Sequence, residues 1–195
     1  MRVVHSFGRL TDAPKINVLG IDNIEAGRIA ARELIKRGYR KVGFLAGPLS
    51  ATSTRDRHTG FVEELGRHPD VSLSVSYAAA YSFKAGRDEM ARLLSMGPAE
   101  AYFCGDDVLS IGALSAIKDA GLSVPDDVGI LGLNNMEMAA WELIDLTTIH
   151  NPIDDIVRTS VDLVEAMLDG EETVAQSLTF DCHVVERGTL RPVET

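Results

Sequence analysis

The sequence predicts an α/β protein built on a parallel sheet flanked by helices, and three observations carry that expectation. Short aliphatic runs alternate with amphipathic stretches of helical length along most of the chain. Two of the runs, KVGFLAG (41–47) and the aliphatics at Val128 to Leu133, are almost unbroken in apolar residues, as strands buried on both faces must be. Finally, 45% of the 195 residues are hydrophobic, enough for a packed core.

The elements follow in order. INVLGID (16–22) reads as a strand, and Asp22 or Asn23 can cap the next helix, with Glu25 at capping-box spacing from Asp22. In that helix Ala31, Leu34 and Ile35 share an apolar face, and Gly38 supplies the stop. KVGFLAG is the second strand, and the polar stretch PLSATSTRD reads as a loop leading into a helix from about Arg57 to Leu65. The alternation continues with a strand at Val71 to Tyr77, a helix at Ala85 to Leu94 and a strand at Ala101 to Cys104. A helix at Val108 to Asp119 and a strand at Val128 to Leu133 complete it. LTTIHNP (146–152) is extended, and Pro152 opens a helix to about Leu168 that ends at Gly170 and the following EET. SLTFDCHVVERGT (177–189) reads as one closing strand with a bend, and the tail RPVET as frayed.

Composition excludes several functions. A formal charge of −10 argues against this polypeptide gripping nucleic acid by itself, because phosphate binding needs a positive surface. Cys104 and Cys182 form no CxxC and are expected as reduced thiols. The first residues lack the apolar core of a secretory signal, and no apolar run approaches a membrane span, so a cytoplasmic location is expected if Met1 is the natural start. There is no GxGxxG, no GxxxxGK[ST] and no HExxH, and the histidines share no ligand spacing, so neither cofactor nor metal is expected. GPLSATS resembles a phosphate loop only through one glycine and its hydroxyls. Cys182 and His183 point to opposite faces if they share a strand, which disfavours a dyad.

In an open parallel sheet, ligands bind beyond the carboxyl ends of the strands. That rule selects Gly47 to Asp56 with Arg57, then Tyr81 with Ser82, Gly105 to Asp107, and the pair Asn134 and Asn135. Side-chain amides at a strand end suit a neutral, hydroxyl-rich ligand, although Asn also tolerates the left-handed conformation and the pair can form a turn alone. Arg57 at a helix start is poorly placed for the dipole, which suggests a ligand or carboxylate partner, with a surface ion pair as the alternative. Tyr81 fits stacking on a ligand or a place at the core edge. Asp106 and Asp107 resemble paired acid/base carboxylates, but they precede a helix, and capping is assigned to Asp107.

Seven stretches in sequence order resemble the effector-binding core of the LacI/GalR family of bacterial transcription regulators. They are VLGIDNIEAGRIAARELIKRGYRKVGFLAGP, RDRHTGF, YSFKAG, CGDDVLSIGAL, GLSVPDDVGILGLNN, LTTIHNP and VVERGT, and they cover almost the whole chain. The resemblance implies a periplasmic-binding-protein-like fold, a small-molecule effector, most simply a sugar or related polyol, and a homodimer that is not an enzyme. It implies that Arg57, Tyr81, Asp106, Asn134, Ser53 and Asn151 bind the effector. Asn134 replaces the Asp common in the family, and Asp106 stands where many members carry Asn. Asp145 departs from a usual Pro and Val157 from a common Gly. The implied domains are a C-terminal effector-binding lobe at 23–149 with 180–192, and a remnant of an N-terminal lobe at 1–22 with 150–179. The helix-turn-helix is absent from this chain, which suggests a shortened form, so operator DNA would be reached only through a domain outside it. The helix at Asp154 to Leu168 would then lack its own sheet and expose an apolar face. The helices at Val108 to Asp119 and Gly60 to Leu65 resemble the family's pairing surfaces. A solute-binding protein for sugar transport is the alternative with the same fold, and an α/β enzyme using Asp106 or Asp107 with His150 is a third reading.

Overall fold

A computed structural model describes residues 3–169 and 174–193. The chain divides into two compact units, one of 1–22 with 151–182 and one of 23–150 with 183–195.

The smaller unit holds a three-stranded parallel sheet in the order β1 (Val4–Ser6), β2 (Asn17–Ile21), β8 (Ser177–Phe180). Strand β2 is the central strand and is buried at every position, which its apolar sequence NVLGI permits. Helix α5 (Ile153–Leu168) lies on this sheet through Ile156, Ser160 and Met167, and the Ser160 hydroxyl meets that of Ser6 at 2.7 Å. The expectation that this helix lacks a sheet is therefore corrected. The side of the helix next to those residues still exposes Ile153, Val157, Val161, Val164 and Leu168. The expected stop at Gly170 to Thr173 lies outside the described residues. Replacing Val157 and Val161 together with Lys is expected to change stability by no more than about 0.5 kcal/mol per site, because both are surface positions. Light scattering on concentration should fall, and an unchanged value would show that the stripe drives no self-association.

The larger unit is a six-stranded sheet in the order β4 (Ser72–Tyr77), β3 (Lys41–Ala46), β5 (Ala101–Cys104), β6 (Gly129–Asn134), β7 (Thr148–His150), β9 (His183–Val185). All neighbours are parallel except β7 and β9, which pair antiparallel with His150 opposite His183. The stretch read as one closing strand is thus two strands in two sheets, broken at Asp181 and Cys182. Strands β3, β5 and β6 are buried almost throughout, whereas β4, at the edge, is largely open. Helices α1 (Asn23–Lys36) and α2 (Thr52–Leu65) pack on each other, as do α3 (Phe83–Ser95) and α4 (Asp107–Asp119). Phe44, Phe61 and Phe103 meet in the core with ring centroids 5.5 to 5.8 Å apart.

Two further expectations change. Helix α2 begins at Thr52, so Arg57 sits in its second turn and the dipole argument for its partner lapses. The tail is not frayed at Arg191. Its amide donates to the Tyr39 hydroxyl at 2.9 Å, its guanidinium lies over the Tyr39 ring, and its carbonyl accepts from Arg37 at 2.5 Å.

Candidate functional site

The carboxyl ends of β3 and β5 meet around Gly105. Arg57 reaches this point from α2, only 8% exposed. Its Nη1 donates to the Gly105 carbonyl at 2.7 Å and its Nε to the Asn23 side-chain oxygen at 2.7 Å. The guanidinium fork is thereby fixed by two elements at once, a geometry lysine could not reproduce. Tyr81 stands across Gly47 and Gly105, and a β-carbon at Gly47 would press into its ring. Its hydroxyl shares a hydrogen bond of 2.6 Å with Thr54. Ser53, next to Thr54 in the first turn of α2, is half-buried.

The two aspartates reverse the roles expected of them. Asp106 is the residue with extended backbone before α4, and its side chain accepts the Leu109 amide at 2.7 Å, so Asp106 is the cap. Burial raises its pKa, opposed by that hydrogen bond and by Arg57. Asp107 is inside the helix and fully buried. It accepts the Thr148 hydroxyl at 2.6 Å and the Met136 amide at 2.7 Å. Burial pushes its pKa up to about 6, against the Thr148 and Met136 hydrogen bonds. The folded chain therefore takes up a proton that the unfolded chain, with an ordinary Asp near 3.8, has already lost. This group's contribution to stability is greatest at acid pH and declines as pH rises through about 6, and Asp107→Asn should abolish that slope in denaturation midpoints taken from pH 4 to 8.

Asn134 ends β6 with φ at +117° and Asn135 follows at +54°. Both residues thus have positive φ, and Asn135 lies in the left-handed region that Asn tolerates better than most residues. Their side chains differ in duty. The Asn135 oxygen accepts from Arg187 at 2.7 Å, and its nitrogen lies 3.3 Å from His150 Nδ1. Asn151 belongs to the other unit, where it is buried just after β7.

Arg57, Tyr81 and Asp106 are therefore brought together at Gly105, and Asn134 terminates the strand beside β5. No local pattern marks Asn23, Thr54 or Arg187 as partners, because each acts on a residue far along the chain. Among the described residues there is no group of His, Cys, Asp and Glu able to hold a metal. Cys104 is fully buried with its thiol pushed up to about 12 by burial, so it is chemically quiet.

Fold and strand-end chemistry together define the periplasmic-binding-protein-like class of α/β proteins. A family model described as a periplasmic binding protein-like domain matches residues 31–190, and the chain belongs to that family, in the branch of LacI/GalR effector-binding cores. The chain is 31% identical over 194 residues to the HTH-type transcriptional repressor CytR of Escherichia coli strain K12, covering 98% of this chain and 56% of that protein. It is 32% identical over 171 residues to the HTH-type transcriptional repressor PurR of Escherichia coli O1:K1, covering 86% and 50%. The chain thus spans about half the length of these curated relatives. Among solved structures, a LacI-family transcriptional regulatory protein from Corynebacterium glutamicum superposes with TM-score 0.85 at 28% identity, covering 97% of this chain and 72% of that one. A cellobiose complex of the transcriptional regulator CelR superposes with TM-score 0.84 at 27% identity, covering 95% and 58%. These relatives are regulators, which sets aside the enzyme reading. No helix among the described residues is long and apolar enough to cross a membrane.

Proposed function

We propose that this chain is the effector-binding and dimerisation core of a cytoplasmic LacI/GalR-type repressor, with the larger unit as its C-terminal lobe and a sugar or related neutral polyol as effector. The observation that carries the reading is the joining of Arg57, Tyr81 and Asp106 through Gly105 at the strand ends. A fixed fork of donors, an aromatic ring, a carboxylate and the Asn134 amide suit hydroxyl groups more than a strongly charged ligand. Ser53 completes the proposed set on the larger unit. Operator DNA is contacted by a helix-turn-helix head of the type named in the relatives, since a net charge of −10 suits no direct grip on phosphate. The effector acts through unequal affinity for two states of the core. A solute-binding protein of transport shares the fold, and the repressor relatives favour regulation over it.

A thermal-shift panel of neutral sugars, including ribose and cellobiose, tests the reading. A stabilising sugar whose shift is lost in Asn134→Ala supports it. No shift from any sugar, or one indifferent to Asn134→Ala, overturns it.

For the homodimer, the support is a groove of about 570 Å³ on the larger unit, lined by Phe83, Ile111, Leu114 and Leu143, with Leu143 98% exposed. On the other expected pairing helix Gly60, Phe61, Glu64 and Leu65 are buried and Val62 and Glu63 are exposed. Leu143→Glu is expected to convert a dimer to a monomer in sedimentation, with thermal stability of the monomer unchanged within about 0.5 kcal/mol.

A further inference from the structure

The proposed site leaves the fully buried carboxyl of Asp107 without a part in ligand contact, and that group is tied to the ligand-facing loop. We propose that Asp107 is the positioning residue for the Asn134–Asn135 amide pair, holding the loop after β6 through the Met136 amide and the start of β7 through the Thr148 hydroxyl. The inference rests on the reading of Asn134 as a ligand contact.

The geometry requires such a holder. Asn134 at +117° and Asn135 at +54° are costly for residues with side chains, and such a conformation persists only where surrounding bonds fix it. Three bonds converge on the two residues that follow Asn134. Asp107 Oδ2 accepts the Met136 amide at 2.7 Å, Arg187 Nη2 donates to Asn135 at 2.7 Å, and His150 Nδ1 lies 3.3 Å from the Asn135 nitrogen. Arg187 is itself held, donating to the Leu146 carbonyl at 2.7 Å. Of these three bonds, the one to Asp107 joins the loop to a helix, because Asp107 is the first residue of α4. It also spans two strands. Its Oδ1 accepts from Thr148 on β7, and it lies so close to Gly132 on β6 that a β-carbon there would come within 2.5 Å of that oxygen.

The groups around the carboxylate give the loop a sensitivity to proton uptake. Asp106 on the same helix raises the pKa, Arg187 beyond β9 lowers it, and the Thr148 and Met136 donors lower it, with burial prevailing at about 6. Cys104 at the end of β5 is neutral at these pH values and adds no charge. His150 on β7 reaches the same loop through Asn135, and the His183 ring on β9 lies 5.1 Å from it. Below the midpoint the carboxyl carries a proton and the charge-assisted bond to the Met136 amide becomes an ordinary one.

Backbone amide resonances of the full chain, followed from pH 8 to 5 without ligand, test the assignment. Met136 and Asn134 should titrate together near 6 in the parent chain. In Asp107→Asn, which retains an acceptor oxygen, both should stay in place and cease to titrate. In Asp107→Ala, amide exchange at Met136 should quicken about tenfold, the expectation for losing one bond to a charged group. Should that variant fail to fold, Thr148→Val removes one donor with little change of shape and should move the midpoint upward. A titration that persists in Asp107→Asn would belong to another group and overturn the proposal, as would a midpoint indifferent to Thr148→Val. Because these readouts need no ligand, a failed sugar panel would overturn the site while leaving the positioning result standing.

Discussion

Gly60→Ala is expected to destabilise the larger unit by about 3 kcal/mol, at the upper end of what overpacking normally costs. A β-carbon at this position would fall inside the carbonyl oxygen of Ile24, and one at Gly27 would fall inside that of Arg57. Helices α1 and α2 therefore touch backbone to backbone, and neither obstructing atom belongs to a side chain that could rotate away. The helices must separate, and because Arg57 is one turn from Gly60, its reach to Gly105 and Asn23 is strained as well. For a chain of this size the loss corresponds to a fall in Tm of roughly 6 to 12 °C. Gly66→Ala is the control. That residue has ordinary helical φ and a β-carbon there would come no closer than 3.4 Å to its nearest neighbour, so it should be neutral or gain about 0.5 kcal/mol. Equal losses in both variants would show that helix crossing is not what Gly60 serves.

How much of this was legible depends on whether a residue's role is local. Strands β3, β5 and β6 announce themselves because burial on both faces demands an aliphatic run, and the strand-end rule then leads to Gly105 and Asn134 without any knowledge of contacts. The start of α2 does not announce itself, since Thr52, Ser53 and Thr54 are indifferent helix formers and read as loop; packing of α2 on α1 overrides that preference. The exchange of roles between Asp106 and Asp107 has a similar cause. Two adjacent carboxylates before a helix are equivalent on paper, and a shift of one residue in the helix start decides which one caps and which turns inward to Thr148. Asn23 is the clearest case. It reads as a helix cap, yet its oxygen serves a guanidinium 34 positions away, and only the crossing of α1 and α2 creates that relation.

Arg57→Leu should lower stability by roughly 1 to 3 kcal/mol, because it removes the donor and leaves the buried Gly105 carbonyl without its bond, while the half-buried Asn23 side-chain oxygen can turn to water. An exposed arginine in a surface pair would cost no more than about 1 kcal/mol, so denaturant titration separates the two descriptions. The midpoint should fall with the slope unchanged, as for a local loss that leaves the unfolded chain alone. Arg57→Lys keeps the charge but offers no planar fork, and should recover one of the two bonds and part of the stability. Asn23→Ala removes one acceptor instead of the donor and should cost less than Arg57→Leu. The double variant should then cost less than the sum of the two, since both probe one hydrogen bond. If the costs were simply additive, Asn23 and Arg57 would be acting independently and the fork would not be set by α1. If they couple, the donor proposed to meet the effector is held by the same bonds that hold the fold, and Arg57→Leu will lose sugar affinity and stability together.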